Sequence, residues 1–296
     1  MEPLTVVLVH WGQPERCLAS VEAFCAQGLA VRMVVVDNGS SPEHLDRLRA
    51  GLPDTAELLE AHANLGFGPG ANVGLRHWLA VHEGEWVAVA PHDALPDPGC
   101  LRRVMDAVRA RPRAGLASAD VGDGRVPVVD PYFGGITLPP DPSVGAADGW
   151  EACGYPHGTL MFARRSCLEA IGLFDERYFA YCEEADLGER ARRAGWEVGL
   201  VRGARVRNPN LGGRSDVVDY LMLRNTLLLV RDHFGAYKAG VRTAIALIHL
   251  AKGLAVPSAR PWIFAPAARV RALADHAQGR YGPPPESLAT RPVAPR

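Results

Sequence analysis

The chain opens on an apolar run, Val6–Val9, and similar runs recur at Val31–Val36, Ala56–Leu59, Trp86–Ala90 and Thr159–Ala163. Short valine-rich runs bounded by Gly, Pro, Asn and Asp predict buried strands. Between them apolar residues fall at helical spacing. Leu18, Val21, Ala23 and Phe24 mark one amphipathic stretch, Glu43–Leu52 reads as a second helix, and Asn64–Leu79 starts glycine-rich and turns helical. Alternation of this kind predicts a parallel sheet covered on both faces. Ligands of such sheets bind at the carboxyl ends of the strands, so the residues just after each run are the ones to inspect.

The pattern changes at Asp120–Trp150, where Gly, Pro and Asp dominate and periodicity is lost. This reads as a loop-rich excursion with irregular strands rather than a domain boundary. Order returns with the Thr159–Ala163 strand and a helix over Glu183–Ala194 closed by Gly195; from Val217 onward the chain is helical, and Pro283–Arg296 has the composition of a disordered tail. No internal repeat is visible.

Composition narrows the function classes. Lys+Arg 32 against Asp+Glu 33 gives a net charge of −1, without the basic excess of duplex binders, so nucleic acid is not the expected partner. The six cysteines form no C-x-x-C pair, which points to reduced thiols in a cytoplasmic protein. Met1 leads directly into the first strand with no signal-peptide pattern, and the longest apolar candidate for a membrane span, Val241–Val256, is broken by Arg242, His249 and Lys252.

Candidate chemistry lies at the strand ends. Val34-Val35-Val36-Asp37-Asn38-Gly39-Ser40-Ser41 puts a carboxylate where a buried strand opens into a turn. An Asx-turn, with Asp37 and Asn38 bonding their own backbone, explains that segment alone. Trp11 at the end of the first strand and the run Asn64-Leu65-Gly66-Phe67-Gly68-Pro69-Gly70-Ala71-Asn72-Val73-Gly74, which permits close backbone approach to a ligand, add a second reading. Together, Val7-Leu8-Val9-His10-Trp11, the Asp37–Ser40 segment and the Asn64–Gly74 segment resemble glycosyltransferase family 2, with closest similarity to its rhamnosyltransferase-like branch. The resemblance runs in order from about residue 4 to about residue 230.

The resemblance implies a GT-A type α/β fold: a Rossmann-like, mixed or mostly parallel sheet flanked by helices, with a helical C-terminal extension. It implies a transferase domain over 1–215, with a nucleotide-binding half to about 119 and an acceptor half beyond it. The extension would cover 216–282 and the tail 283–296. Trp11 matches the position that stacks on the nucleobase and Asp37 the carboxylate that bonds it, with Asn38, Asn64, Gly66 and Asn72 alongside. The implied partners are a dTDP- or UDP-sugar donor, carrying a rhamnose-like deoxyhexose or another hexose, and a hydroxyl of a glycan, lipid-linked or small-molecule acceptor.

Asp93, with His92 beside it, matches the end of the family's D-x-D-type motif, which holds Mg²⁺ or Mn²⁺ on the diphosphate. Pro91 occupies the first acidic position and Asn208 the place of a further histidine ligand, so the cation set departs from pattern; arginines are the other means of neutralising the diphosphate. In Tyr181-Cys182-Glu183-Glu184-Ala185-Asp186-Leu187 the acidic residues suit the first turn of a helix, and Asp186 and Glu189 can pair with Arg190 and Arg193. The same run resembles the family's E-D-x-D-L segment, which makes Glu184 the catalytic base and sets Glu183 and Asp186 on the acceptor side. His157 and Gly158 match an acceptor-side segment, a satisfied loop histidine being the plain alternative, and Arg224-Asn225 resembles a pair recurring in this branch. The implied reaction is a single displacement with inversion; the alternative is a catalytically weak member that binds nucleotide-sugar or glycan without efficient transfer.

At 3.6 residues per turn, Lys238, Arg242, His249 and Lys252 fall within roughly one quarter of the circumference of a helix over 237–256. Such a stripe suits packing on the domain or a homodimer partner, or a peripheral contact at the inner face of the membrane.

Overall fold

The computed structural model describes residues 2–140, 149–208, 215–261 and 263–289. Contacts divide the chain into two units: Met1–Val128 with Thr137–Asp175 and Glu184–Asn210, and Val129–Ile136 with Glu176–Glu183 and Leu211–Arg296.

In the first unit the valine runs are strands and the amphipathic stretches are helices. β1 (Leu4–His10), α1 (Pro14–Cys25), β2 (Val31–Asp37), α2 (Pro42–Gly51), β3 (Glu57–Glu60), α3 (Phe67–Val81) and β4 (Trp86–Pro91) follow in sequence. β5 (Leu95–Pro96), α4 (Cys100–Arg109) and β6 (Ala114–Asp120) come next, then a two-stranded pair of β7 (Val126–Asp130) and β8 (Gly134–Leu138), whose residues 129–136 are counted with the second unit. β9 (Trp150–Ala152), β10 (Met161–Arg164), α5 (Arg165–Ile171), α6 (Glu183–Arg193) and β11 (Glu197–Arg207) complete it. The large sheet has the order β3-β2-β1-β4-β10-β6-β11-β5, with β9 paired to β11.

The sheet is mixed: β1, β2, β3 and β4 are parallel, while β10 runs antiparallel to both β4 and β6. Strand–helix alternation alone predicts the parallel half. It carries no information on the direction in which a short run re-enters after a long excursion. Part of that excursion forms β7, β8 and β9; its residues 141–148 lie outside the described ones.

Period-two alternation splits β1 and β2 between two cores. Val6, Leu8 and Val35 pack with Cys17, Val21 and Phe24 of α1 and Leu101, Val104 and Val108 of α4. Val7, Val9, Val34 and Val36 pack on the other face with Leu75 and Trp78 of α3 and Leu187 and Ala191 of α6. Burying each such side chain contributes about 1.5–3 kcal/mol, and these layers hold the strand ends rigid. All six cysteines are free, and burial pushes the thiols of Cys17, Cys100, Cys153 and Cys167 up to about 12, so they act as small apolar residues.

The second unit is helical. α7 (Ser215–Ala255) is broken at Gly235, whose φ of 90° and ψ of 167° lie outside helical space. A turn at Pro257–Ala259, α8 (Pro266–Ala277) and α9 (Glu286–Ala289) follow. Its core contains Tyr220, Leu221, Leu227, Ala246, Ala268, Ala272 and Leu288. Buried Arg224 donates to the Tyr220 hydroxyl (3.0 Å) and the Gly282 carbonyl (2.7 Å), and that hydroxyl donates to Asp275 (2.9 Å). The Asn225 amide nitrogen donates to the carbonyls of Tyr178, Ala180 and Tyr181 at 2.7, 2.8 and 2.9 Å. Arg224 and Asn225 thus bond within this unit. Glu286–Ala289 of the expected disordered tail is a helical turn with Leu288 buried; residues 290–296 lie outside the described ones. Among the described residues no helix is long and apolar enough to cross a membrane.

Candidate active site

Four parallel strands of the first unit end level with one another. His10 of β1 faces Asp37 of β2, Val9 faces Pro91 of β4, and Asp37 faces Glu60 of β3. The chain leaves this edge through Trp11, Asn38 and His92, so the sheet gathers those three segments.

Asp37 is buried and held from two sides. The main-chain N–H of Gln13 donates to His10 Nε2 (3.2 Å), which leaves the proton on Nδ1, and Nδ1 donates to Asp37 Oδ1 at 2.9 Å. The Ser40 N–H donates to Asp37 Oδ2 at 3.1 Å. Burial works to raise the Asp37 carboxyl, but the hydrogen bonds from His10 and Ser40 outweigh it and hold the group below the ordinary carboxylate range. Asp37 is therefore anionic at neutral pH. His10 is a member of this site that the sequence reading passed over; the signal was a lone histidine closing an otherwise apolar strand.

Asn38 ties the neighbouring loop to the strand end. Its Nδ2 donates to Gly66 O (2.8 Å) and Asn64 Oδ1 (3.3 Å), and its Oδ1 accepts from Leu65 N (3.1 Å). Asn64 also caps Gly66 N at 3.0 Å and is itself exposed. Gly39 is required here: its φ is +77°, and a Cβ would sit 2.4 Å from the main chain of Ala63. Beside this cradle the Trp11 ring is 54% exposed, large for an indole on a rigid strand end and suited to stacking on a planar base. Asn72 lies apart. Its amide donates to Phe174 O (2.9 Å) and accepts from Phe174 N (3.0 Å) in the protein interior, which makes it a bracket between α3 and the segment before α6 rather than a nucleotide contact.

At the end of β4 the structure brings Asp93 and Asn208 together, the Asn208 amide donating to Asp93 Oδ1 at 3.0 Å. His92 lies 3.2 Å through Nδ1 from the Val9 carbonyl, and its buried Nε2 meets no hydrogen-bond partner among the described residues. Burial holds this imidazole below its ordinary range. One carboxylate capped by an amide is not a cage for a resident divalent cation. It fits an ion carried in by a diphosphate, whose own oxygens supply most of the ligands.

Another group with metal-ligand chemistry, Glu57, His77 and His82, gathers elsewhere. Glu57 sits three residues before the level of Asp37 on β3, away from the strand ends. His77 Nε2 and His82 Nε2 lie 2.5 and 3.0 Å from the Glu57 carboxylate, and Arg32 donates to His82 Nδ1 at 2.8 Å. Because Arg32 can only donate, the His82 proton must sit on Nε2, facing Glu57. The three side chains lie close enough to share a metal ion, with lone pairs left on the Glu57 carboxylate and on His77 Nδ1.

The acidic run opens α6. Phe179, Tyr181 and Cys182 precede it with φ of 63°, 69° and 74°, left-handed values costing about 1–3 kcal/mol each for residues with side chains. Glu183 and Asp186 are buried; Asp186 pairs with Arg190 (2.7 Å), which also bonds the carbonyls of Ile171 (2.7 Å) and Leu173 (2.8 Å). Glu189 likewise pairs with Arg193 at 3.0 Å. Asp186 is therefore a brace for the helix start. Glu184 is different: its carboxyl packs on Gly158, where any Cβ would collide with Oε1. Burial raises this carboxyl from 4.5 to about 7. Gly158 lies in the turn just before β10, whose Met161 faces Val89 of β4. His157 turns elsewhere, toward a crevice lined by Asp120, Asp123 and Arg125, and accepts from Thr159 N at 3.3 Å.

The first unit thus holds a carboxyl tuned toward neutrality, an anionic carboxylate beside an exposed indole, and an acidic residue just after β4. Residues 5–171, more than half of the chain, match the family model for glycosyl transferase family 2. The chain belongs to that family. It is 29% identical over 264 residues to the N-acetylglucosaminyl-diphospho-decaprenol L-rhamnosyltransferase of Mycobacterium tuberculosis, covering 77% of this chain and 83% of the relative. It is 27% identical over 206 residues to a low-salt glycan biosynthesis hexosyltransferase of Haloferax volcanii, covering 67% of this chain and 64% of that one. Among solved structures, a mannosyltransferase from Pyrobaculum calidifontis in complex with GDP-Man and Mn²⁺ superposes with a TM-score of 0.56 at 20% identity, covering 93% of this chain and 75% of that chain. GalNAc-T7 with UDP, GalNAc and Mn²⁺ gives 0.59 at 13% identity, covering 93% and 54%. These likenesses carry the GT-A fold. As a member of family 2 the protein is a glycosyltransferase.

Proposed function

We propose that this glycosyltransferase moves a hexose, a rhamnose-like deoxyhexose in the first instance, from a dTDP- or UDP-sugar to an acceptor hydroxyl with inversion. The observation that carries the reading is the Glu184 carboxyl, raised to about 7 against Gly158 in the unit whose strand ends carry Asp37 and Asp93. A base of that strength holds little charge in reserve and takes a proton as an oxygen becomes acidic in the transition state. Trp11 stacks on the nucleobase and anionic Asp37 accepts from its N–H, while Asn38, Asn64 and Gly66 shape the cradle beneath. The acceptor O–H passes its proton to Glu184, the oxygen bonds to the anomeric carbon, and the bond to the diphosphate breaks with its electron pair on the leaving oxygen. A divalent cation bound with the diphosphate at Asp93 supplies charge neutralisation when present.

The rhamnosyltransferase relative supports a deoxyhexose donor and a lipid-linked acceptor over a free glycan or small molecule. The amide cap on Asp93 favours a second reading, in which donor is bound without efficient transfer. A thermal-shift panel of dTDP- and UDP-sugars with and without Mn²⁺ or Mg²⁺, followed by donor turnover, separates the two. Stabilisation with turnover supports transfer, and stabilisation without turnover supports the second reading. Stabilisation by none of the nucleotide-sugars would overturn both.

A further inference from the structure

The part of α7 beyond Gly235 sorts its side chains into three faces. Ala239, Ala246, Leu250 and Gly253 are buried, with α8 and Phe264 of the same unit against them. Lys238, Arg242, His249 and Lys252 form the flank expected from their spacing, but only in part: Arg242 lies 5.6 Å from the Phe133 ring and Lys238 5.8 Å from that of Tyr132, while His249 and Lys252 are exposed. The third face is open and apolar. Tyr237 is 78% exposed, Leu247 51%, Ile248 64% and Leu254 55%, with Ala244 and Ala251 between them and Val256 directly after the helix. The helical positions among these span roughly 120° at 100° per residue. Packing on its own unit therefore leaves uncovered the widest apolar surface of this helix, the reverse of an ordinary amphipathic helix.

Charge selects what covers it. Residues 233–274 contain no Asp or Glu, yet carry Lys238, Arg242, Lys252, Arg260, Arg269 and Arg271 in a chain of net charge −1. Arg269 is paired with Asp219 and Arg271 with Asp275; Lys252 is exposed beside the apolar face, and exposed Arg260, just past the helix, donates through Nε to the Gly253 carbonyl (2.8 Å) without an acidic partner. A second copy meeting this face about a twofold axis would bring like charges together with no acidic side chain of the segment to answer them. An anionic bilayer answers both features. Its acyl boundary takes up Leu, Ile and Val, a tyrosine suits the headgroup level, and lysine and arginine reach lipid phosphates.

We propose that the second half of α7 docks the protein on an anionic lipid bilayer, entering by Tyr237, Leu247, Ile248 and Leu254, with Lys252 and Arg260 on the headgroup phosphates. This inference rests on the surface alone and stands or falls apart from the sugar-transfer reading, although a lipid-linked acceptor would lie in the same bilayer.

The test is co-sedimentation of the full chain with vesicles of phosphatidylcholine, with and without phosphatidylglycerol, at low and high salt. The chain is expected to sediment with the phosphatidylglycerol vesicles at low salt. The double substitution Leu247→Asp, Ile248→Asp should release it, and Lys252→Gln should weaken binding about fivefold. All three positions are exposed, so an unchanged melting temperature confirms that the variants fold. Equal binding by the double variant, or no binding to any vesicle, overturns the proposal. A dimer in sedimentation equilibrium that the double substitution dissolves also overturns it, by giving the face to a second copy. Donor turnover of the same variants without vesicles reports on the transferase reading separately.

Discussion

Replacing Glu184 with Gln separates the fold from the chemistry, because the amide keeps the shape of the side chain and removes its titration. In the native protein this carboxyl is raised by burial from 4.5 to about 7, so the folded state holds the proton more tightly than the unfolded chain does. Stability from this group is fully present below about 4.5 and is lost as pH rises through about 7. The gap between those values corresponds to about 3 kcal/mol of destabilisation at alkaline pH. Glu184→Gln should therefore exceed the wild type in stability by up to about 3 kcal/mol near pH 8 and equal it at about pH 4. Urea unfolding followed by tryptophan fluorescence at the two pH values measures this. Transfer should move the opposite way: the wild-type rate falls about tenfold per pH unit below 7, and the glutamine variant loses about 10²–10⁴-fold at every pH. A variant no more stable than the wild type at alkaline pH would refute the buried carboxyl. One that still turned over at the wild-type rate would refute its role as base.

Two further outcomes follow from neighbouring geometry. Trp11→Ala removes a ring that is 54% exposed, so the melting temperature should hold while the donor KM rises about three- to tenfold, the worth of one stacking contact; an unchanged KM would take Trp11 out of the nucleotide site. Asn72→Ala strips both bonds from the main chain of Phe174 and should lower stability by about 2–4 kcal/mol in urea unfolding, with little change in donor KM if α6 keeps its place. A loss below about 1 kcal/mol would mean that the bracket is replaced by other contacts.

The sequence and the structure agree most closely where local rules are strong. Valine runs ending in Asp37 or Pro91 had to be buried strands, because no other element hides so much branched apolar surface in so few residues. β6 left no such trace: Ala114-Gly115-Leu116-Ala117-Ser118-Ala119-Asp120 is small and mixed, yet it is buried throughout between β10 and β11. Its burial comes from partners distant in sequence, which no window along the chain reveals. The same limit applies to single residues. Asn72 and Asp186 sit in motifs that suggest ligand contact, while their hydrogen bonds to Phe174 and Arg190 engage them within the protein.

From its residues alone the chain dictated an α/β sheet whose strand ends carry Trp11, Asp37 and Asp93, and an acidic helix start at Glu184. Those are local consequences of period, turn chemistry and capping. Tertiary structure alone decided three things. It set the His10 proton toward Asp37, it brought Gly158 against the Glu184 carboxyl, and it turned the apolar face of the second half of α7 outward. Protonation state and exposure depend on what else comes within a few ångströms, and in this protein those neighbours are tens of residues away along the chain.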